Sequence, residues 1–246
     1  MRSNFLLKNT SAVLLVIISF AVSSKNSNAQ NLPIEQQKYI YFPHPMHIKW
    51  TTSVGVSATT LPYDITEELH FRVPAGDVQV IRKVGKNINL NSRFSIQGLQ
   101  NLAIVGARWT TELNSRVSVG AGDEVGYWFG FVNFAGFKSR ASGWQNYPNL
   151  AIGYRFNKQV LLTLRADAII NFNIRTFAAN QRVTTDYRTF SGSSYTIALE
   201  QPFYGKKNLI LGFRAMYTDF FWQTWPAFES FDRNIFFPQL IIGLIL

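Results

Sequence analysis

The chain has no cysteine in its 246 residues. Disulfides and thiolate metal sites are thereby excluded, and whatever stabilises the fold must come from pairing and packing alone. Also missing is any apolar run near the roughly 18 residues that a membrane-crossing helix needs. No G-x-S-x-G elbow and no glycine-rich phosphate loop is present. Charged residues make up only 15% of the chain, and they are unbalanced, with 24 Lys and Arg against 14 Asp and Glu. The resulting +10 is not gathered into any basic run. It therefore points away from nucleic acid and toward anionic lipid headgroups or a basic interior.

What is present is alternation. From Gln159 to Arg175 the even positions Val160, Leu162, Leu164, Ala166, Ala168, Ile170, Phe172 and Ile174 are apolar, and the odd positions are polar except Leu161 and Ile169. A period of two over so long a stretch predicts a strand with one apolar and one polar face, because successive side chains of a pleated strand point opposite ways. Strands of soluble proteins usually run about 5–6 residues, whereas a tilted strand crossing a bilayer needs about 9–11. With lipid on one side and a polar interior on the other, the sheet has to close on itself.

The first 29 residues have the layout of a secretory signal. Arg2 and Lys8 charge its start, Ala12 to Val22 is apolar, and Ser27-Asn28-Ala29 supplies small residues before a cut. Three positive charges, Arg2, Lys8 and Lys25, would leave with it, so +7 remains. Residues 30–45 read as a periplasmic arm ending in Phe42-Pro43-His44-Pro45, and the barrel as residues 46–246. In the second strand the apolar parity changes at Pro74-Ala75-Gly76, which predicts a β-bulge. Tight turns are expected near Lys86, Ser115, Lys158 and Lys206. Longer outer loops are expected at 132–145, 177–190 and 222–234, with a short outer turn at Gln100-Asn101. The expected architecture is all-β: a closed antiparallel up-and-down transmembrane barrel of about ten strands, with eight or twelve as alternatives. Asp123 does not fit, since its parity puts a carboxylate on the lipid side.

The signal, the hairpin rhythm, the aromatics near strand ends and the apolar last strand PQLIIGLIL together resemble the small bacterial outer-membrane β-barrel proteins. The resemblance covers essentially all of the chain after the signal. It implies Sec-type export and an integral outer-membrane location, with outer-membrane lipid as surroundings and the barrel-assembly machinery as partner during biogenesis. In that class the last residue is commonly aromatic, where this chain has Leu246.

The inward parity collects Lys49, His70, Arg72, Lys83, Arg93, Arg108, Arg116, Arg155, Arg165, Arg175 and Arg214 against Asp77, Glu112, Glu124, Asp167 and Glu200. This predicts a polar, net-basic lumen charge network that fills a narrow barrel, leaving structural, adhesive or ligand-contact work to the loops. An Arg-lined passage preferring anions is the alternative. A rim hydrolase would have to be assembled from His70, an acid among Asp64, Glu67 and Glu68, and a hydroxyl of Ser191, Ser193 or Ser194. His44 and His47 lack a third ligand for a metal. No enzyme activity, cofactor, metal or nucleic-acid partner is expected. The aromatics Trp50, Tyr127, Tyr154, Tyr217, Trp222 and Trp225 are expected at the lipid boundary, with the 222–234 cluster alternatively binding a hydrophobic ligand or partner.

Overall fold

The computed structural model describes residues 37–66, 72–134, 137–156, 159–178, 181–183, 187–204, 207–227 and 231–246. The expected signal segment lies outside the described residues. Eleven strands follow one another: β1 (Trp50–Thr60), β2 (Arg72–Lys83), β3 (Ile88–Ile96), β4 (Gln100–Glu112), β5 (Val117–Phe134), β6 (Phe137–Arg155), β7 (Leu161–Ala178), β8 (Gln181–Val183), β9 (Phe190–Tyr204), β10 (Lys207–Thr218) and β11 (Ile235–Ile245). All pairings are antiparallel. Each strand from β1 to β6 pairs with the next, β1 pairs with β11, and β7 joins β6 to β9, so ten strands close into a barrel. The three-residue β8 hangs on the upper end of β7, outside the ring.

The exterior follows the alternation. Val54, Val56, Leu90, Val105, Leu150, Ile152, Leu164, Ile197 and Ile242 stand out from the sheet and are exposed, while Thr51, Ser53, Thr110, Thr163, Thr196 and Gln239 of the same strands are buried inside. No described helix is long and apolar enough to cross a membrane, and the crossing is made by strands. The connections 84–87 and 113–116 and the strand ends Arg155, Leu161, Tyr204 and Lys207 lie at one end, called the turn end, together with Leu246; the connection 97–99 and the strand ends Thr60, Arg72, Thr218 and Ile235 lie at the other, the loop end.

Four expectations are corrected. Within the expected loop 132–145, residues 132–134 and 137–145 are strand: β5 and β6 run 18 and 19 residues and pair up to Phe134 and Phe137. The second strand carries no bulge, because β1 and β2 pair without a register break from Trp50↔Arg82 to Thr60↔Arg72. Val73 and Ala75 there face inward and are buried. The parity change comes from surroundings, apolar outside at mid-height but apolar inside near the loop end. Of the described arm residues 37–45, Tyr39 to His44 are buried within the barrel and not outside it, because the apolar run Tyr39-Ile40-Tyr41-Phe42 finds cover there. The segment after β10 also turns inward: Phe220, Phe221, Trp222, Gln223, Thr224 and Trp225 are buried, the last four within a 3-10 turn, Trp222–Ala227.

A real bulge exists where the sequence shows none. Trp144 pairs with Phe172 and Ser142 with Arg175, so β7 holds one extra residue opposite Gly143. Asn173 takes it up at φ 55°, a left-handed conformation that asparagine tolerates better than most residues. Above it, Ile174 and Thr176 point inward and Arg175 outward.

Candidate functional site: the filled lumen

Three layers occupy the interior. At the turn end sits the N-terminal segment. The carboxylate of Glu200, fully buried on β9, accepts from the backbone amides of Ile40 at 2.6 Å, Tyr41 at 3.1 Å and Phe42 at 2.9 Å. Arg108 of β4 donates from Nη1 to the carbonyls of Ile40, 3.1 Å, and Tyr41, 3.4 Å. One acid and one base of the wall thus hold opposite sides of the same two peptide units. The Arg155 guanidinium lies 5.8 Å from the Phe42 ring centroid, Gln79 Nε2 donates to the Tyr41 hydroxyl, and Asn208 Nδ2 donates to the Lys38 carbonyl. A side chain at Gly153 would come within 2.5 Å of the Phe42 ring, so glycine is what lets that ring lie against the wall.

His44 is buried with Nδ1 3.1 Å from Ser118 Oγ. Burial, followed by the Arg155 and His47 charges, lowers its pKa to about 4. Burial pushes the Tyr39 phenol up, and its hydroxyl donates to the Pro45 carbonyl at 2.8 Å. His44 and His47 lie with ring centroids 6.0 Å apart; among the described residues no group of three metal-ligating side chains occurs.

The middle layer is ionic. Arg93 meets Asp77 Oδ1 through both Nε and Nη2 at 2.8 Å. Arg165 bridges two acids: Nη1 lies 2.8 Å from Glu124 Oε1, and Nε donates to Asp167 Oδ1 at 2.7 Å. Glu124 Oε1 also accepts from Asn91 at 2.7 Å, with Arg108 Nη2 at 3.8 Å. Asp167 Oδ2 accepts from Ser194 at 3.0 Å. Arg214 is hydrogen-bonded to neutral groups, Thr196 Oγ1 at 3.0 Å and Gln239 Oε1 at 3.2 Å. Charges taken from water into so narrow a space are costly, and Arg93, Arg165 and Arg108 offset that cost with nearby carboxylates, whereas Arg214 does so with neutral hydrogen-bond acceptors.

The loop-end layer is apolar. Trp128 and Phe237, both wholly buried on the wall, meet Phe220 and Phe221 at ring-centroid distances of 5.3 Å and 5.1 Å. Gly130 leaves room for Trp225: a Cβ there would lie 2.3 Å from its Nε1. Gln100 Nε2 donates to the Gln223 carbonyl at 2.7 Å. Where the segment leaves β10, buried Asp219 accepts from Ser191, with Arg188 Nε at 3.8 Å, and burial raises its pKa. Between this cap and the ionic layer remains a cavity of about 50 Å³, touched by Arg93, Arg165, Arg214, Tyr147 and Trp222.

The structure places the expected lumenal residues as follows. Arg93, Arg108, Arg155, Arg165, Asp167, Glu200 and Arg214 line the interior. Lys49 and Glu112 are exposed at the turn-end mouth. Arg72 and Arg175 are corrections, since both stand exposed on the outer face near the loop end, Arg72 because β2 has no bulge and Arg175 because β7 has one. Trp222 and Trp225 are also corrected, from lipid boundary to barrel interior, whereas Trp50, Tyr127, Tyr154 and Tyr217 are on the outer face. The hydrolase set is not assembled: Ser191 is buried against Asp219, Ser193 faces out, Ser194 serves Asp167, and Asp64 pairs with Arg233. His70, Glu67 and Glu68 lie outside the described residues. Asp123 is on the outer face as its parity requires, accepting from Asn146 Nδ2 at 2.6 Å. Sequence reasoning missed both plugging segments. The signal available was two aromatic-rich stretches, YIYF and FFWQTW, lying outside any alternating run.

No family model and no curated protein sequence matches the chain. Among solved structures, the translocator domain of autotransporter NalP from Neisseria meningitidis is similar with a TM-score of 0.41 and 6% identity, over 96% of this chain and 97% of that one. The NanC porin is similar at 0.40 and 8%, over 79% and 98%. The KdgM porin in complex with disordered oligogalacturonate is similar at 0.39 and 10%, over 80% and 97%. At these scores the likeness carries no functional argument. The ten-stranded closure, the apolar exterior and the polar wall facing inward are this chain's own features, and they make it a small β-barrel of the outer-membrane kind.

Proposed function

We propose that the protein is an integral outer-membrane barrel that is closed at rest, is not an enzyme, and does its work through its outer surface and loop end. The observation that carries this reading is the occupancy of the lumen from both ends. The segment Tyr39–Met46 fills the turn end, Phe220–Trp225 fills the loop end, and the ion pairs stand between them beside a cavity of about 50 Å³. On that measure one water needs about 10–15 Å³, so the space holds a few waters. In this reading the turn end and both ends of the barrel chain lie in the periplasm, and the loop end, with its longest connection after β10, lies outside.

Solute uptake tests it. Liposomes carrying the refolded mature chain should swell in isosmotic small sugars and in sodium chloride no faster than empty liposomes. Uptake at the rate of an open pore would contradict the proposal.

A second reading has one observation in its favour. The N-terminal segment is held by polar contacts to Glu200 and Arg108 and not by strand pairing. A gated anion passage would use such a hold as its latch, with the lumenal arginines exposed on release.

A further inference from the structure

Above the aromatic belt the outer face of β6, β7 and β8 changes character. Trp144 lies with its ring centroid 4.8 Å from that of Tyr127 and 6.4 Å from that of Phe172, so three adjacent strands carry a continuous aromatic band at one level. The next outward positions toward the loop end are Ser142 paired with Arg175, then Arg140 paired with Phe177, which pairs in turn with Arg182. Lys138 follows two residues beyond Arg140. Lys138, Arg140, Arg175 and Arg182 are all exposed and all on this one face.

Their height is set by strand geometry. With a rise of about 3.3 Å per residue and a tilt of about 40°, two residues along a strand lift a side chain by roughly 5 Å. Aromatic bands mark the edge of the hydrocarbon, and the headgroup layer beyond it is about 6 Å thick. Arg175 therefore stands about 5 Å above the band, within the headgroup layer, while the backbones of Arg140 and Arg182 stand about 10 Å above it and that of Lys138 about 15 Å, so the two arginines meet the layer by reaching back with their long side chains.

None of the four has a carboxylate within 4.0 Å among the described residues. Arg175 uses Nε on Asn173 at 3.0 Å, and the Arg140 guanidinium lies 4.5 Å from the Phe177 ring centroid, contacts that orient the two forks without neutralising them. The Asn173 bulge is what turns Arg175 to this face. Bulges re-aim side chains in just this manner.

We propose that this face is a docking surface for phosphate groups carried on lipids of the surrounding leaflet. Guanidinium forks match phosphate oxygens with paired hydrogen bonds, and at this depth the anions within reach are those attached to lipid. The proposal rests on the membrane-barrel reading. A chain that fails to give a heat-modifiable barrel in lipid fails that reading first, whereas a folded barrel indifferent to lipid phosphate fails this one alone.

The test uses the refolded mature chain in nanodiscs of zwitterionic phospholipid doped with diphosphorylated lipid A or with its dephosphorylated form, and counts lipid retained by native mass spectrometry after detergent exchange. Wild type should retain the phosphorylated form at least ten-fold over the other. The triple variant Arg140→Gln/Arg175→Gln/Arg182→Gln should lose that preference, and the pair Arg72→Gln/Arg116→Gln, elsewhere on the exterior, should keep it. Equal retention by the triple variant, or no phosphate preference in wild type, would overturn the proposal. So would binding of soluble polygalacturonate that depends on the three arginines in the absence of any lipid preference, since the surface would then read a free polymer.

Discussion

At the scale of single residues, Glu200 matters most to how the lumen is closed. Three backbone amides end on its carboxylate, and an orphaned buried donor costs about 1–3 kcal/mol. Glu200→Ala should therefore shift the N-terminal segment toward release while the strands stay paired. Amide hydrogen exchange would show this as lost protection at Ile40, Tyr41 and Phe42 with β10 and β11 unchanged. Gly153→Val should do the same by sterics, since the Phe42 ring occupies the place of the added Cβ. His44 adds a pH dependence. In the docked segment its pKa lies near 4, against about 6.5 once released into water, so the released state binds the extra proton between those values. Docking is then fully supported above about pH 6.5 and weakens as the pH falls toward 4. Exchange protection of residues 40–42, corrected for intrinsic rates, should decline over that window in wild type and stay flat in His44→Gln. A flat wild-type profile would show that His44 keeps its ordinary pKa when docked.

At the scale of elements, β7 shows both what the sequence tells and what it hides. Its lower part is as legible as a strand can be: Ala166 and Ala168 face out, and Thr163, Asp167 and Asn171 face in. Even Leu161 and Ile169, the two apolar residues in the polar set, have a place, buried inside against the fillings of the lumen. Above Asn173 the alternation runs on unbroken, yet the chain has slipped by one. Outside, the surroundings change from lipid to headgroups, and inside from ion pairs to an apolar cap, so Ile174 and Arg175 exchange sides without exchanging parity. On β2 the surroundings change alone, and parity mimics a bulge that is absent. Strand number, closure and the mid-height faces were thus readable, because lipid imposes one rule there. The two plugs were not, because nothing local ties YIYF to Glu200 160 positions away. On the legible part of β7, Ala168→Arg should impair assembly, at about 2–4 kcal/mol for a cation near the bilayer midplane. Folded yield by heat-modifiability should fall sharply for it and little for Ala168→Leu; equal yields would mean that this face does not meet lipid.

At the scale of the whole molecule, a closed ten-stranded wall has its interior filled by two segments of its own chain. The two fillings are independent, one clasped by Glu200 and Arg108, the other packed on Trp128, Gly130 and Phe237. Undoing either alone should leave the other in place. The most direct measurement is single-channel recording in planar bilayers on the intact mature chain, on Glu200→Ala, on Gly130→Val and on the double variant, each first shown to be a heat-modifiable barrel. The account predicts no steady conductance steps from the first three and anion-preferring steps from the double variant, where the lumenal arginines meet a continuous water path. Steady open steps from the intact chain would contradict it.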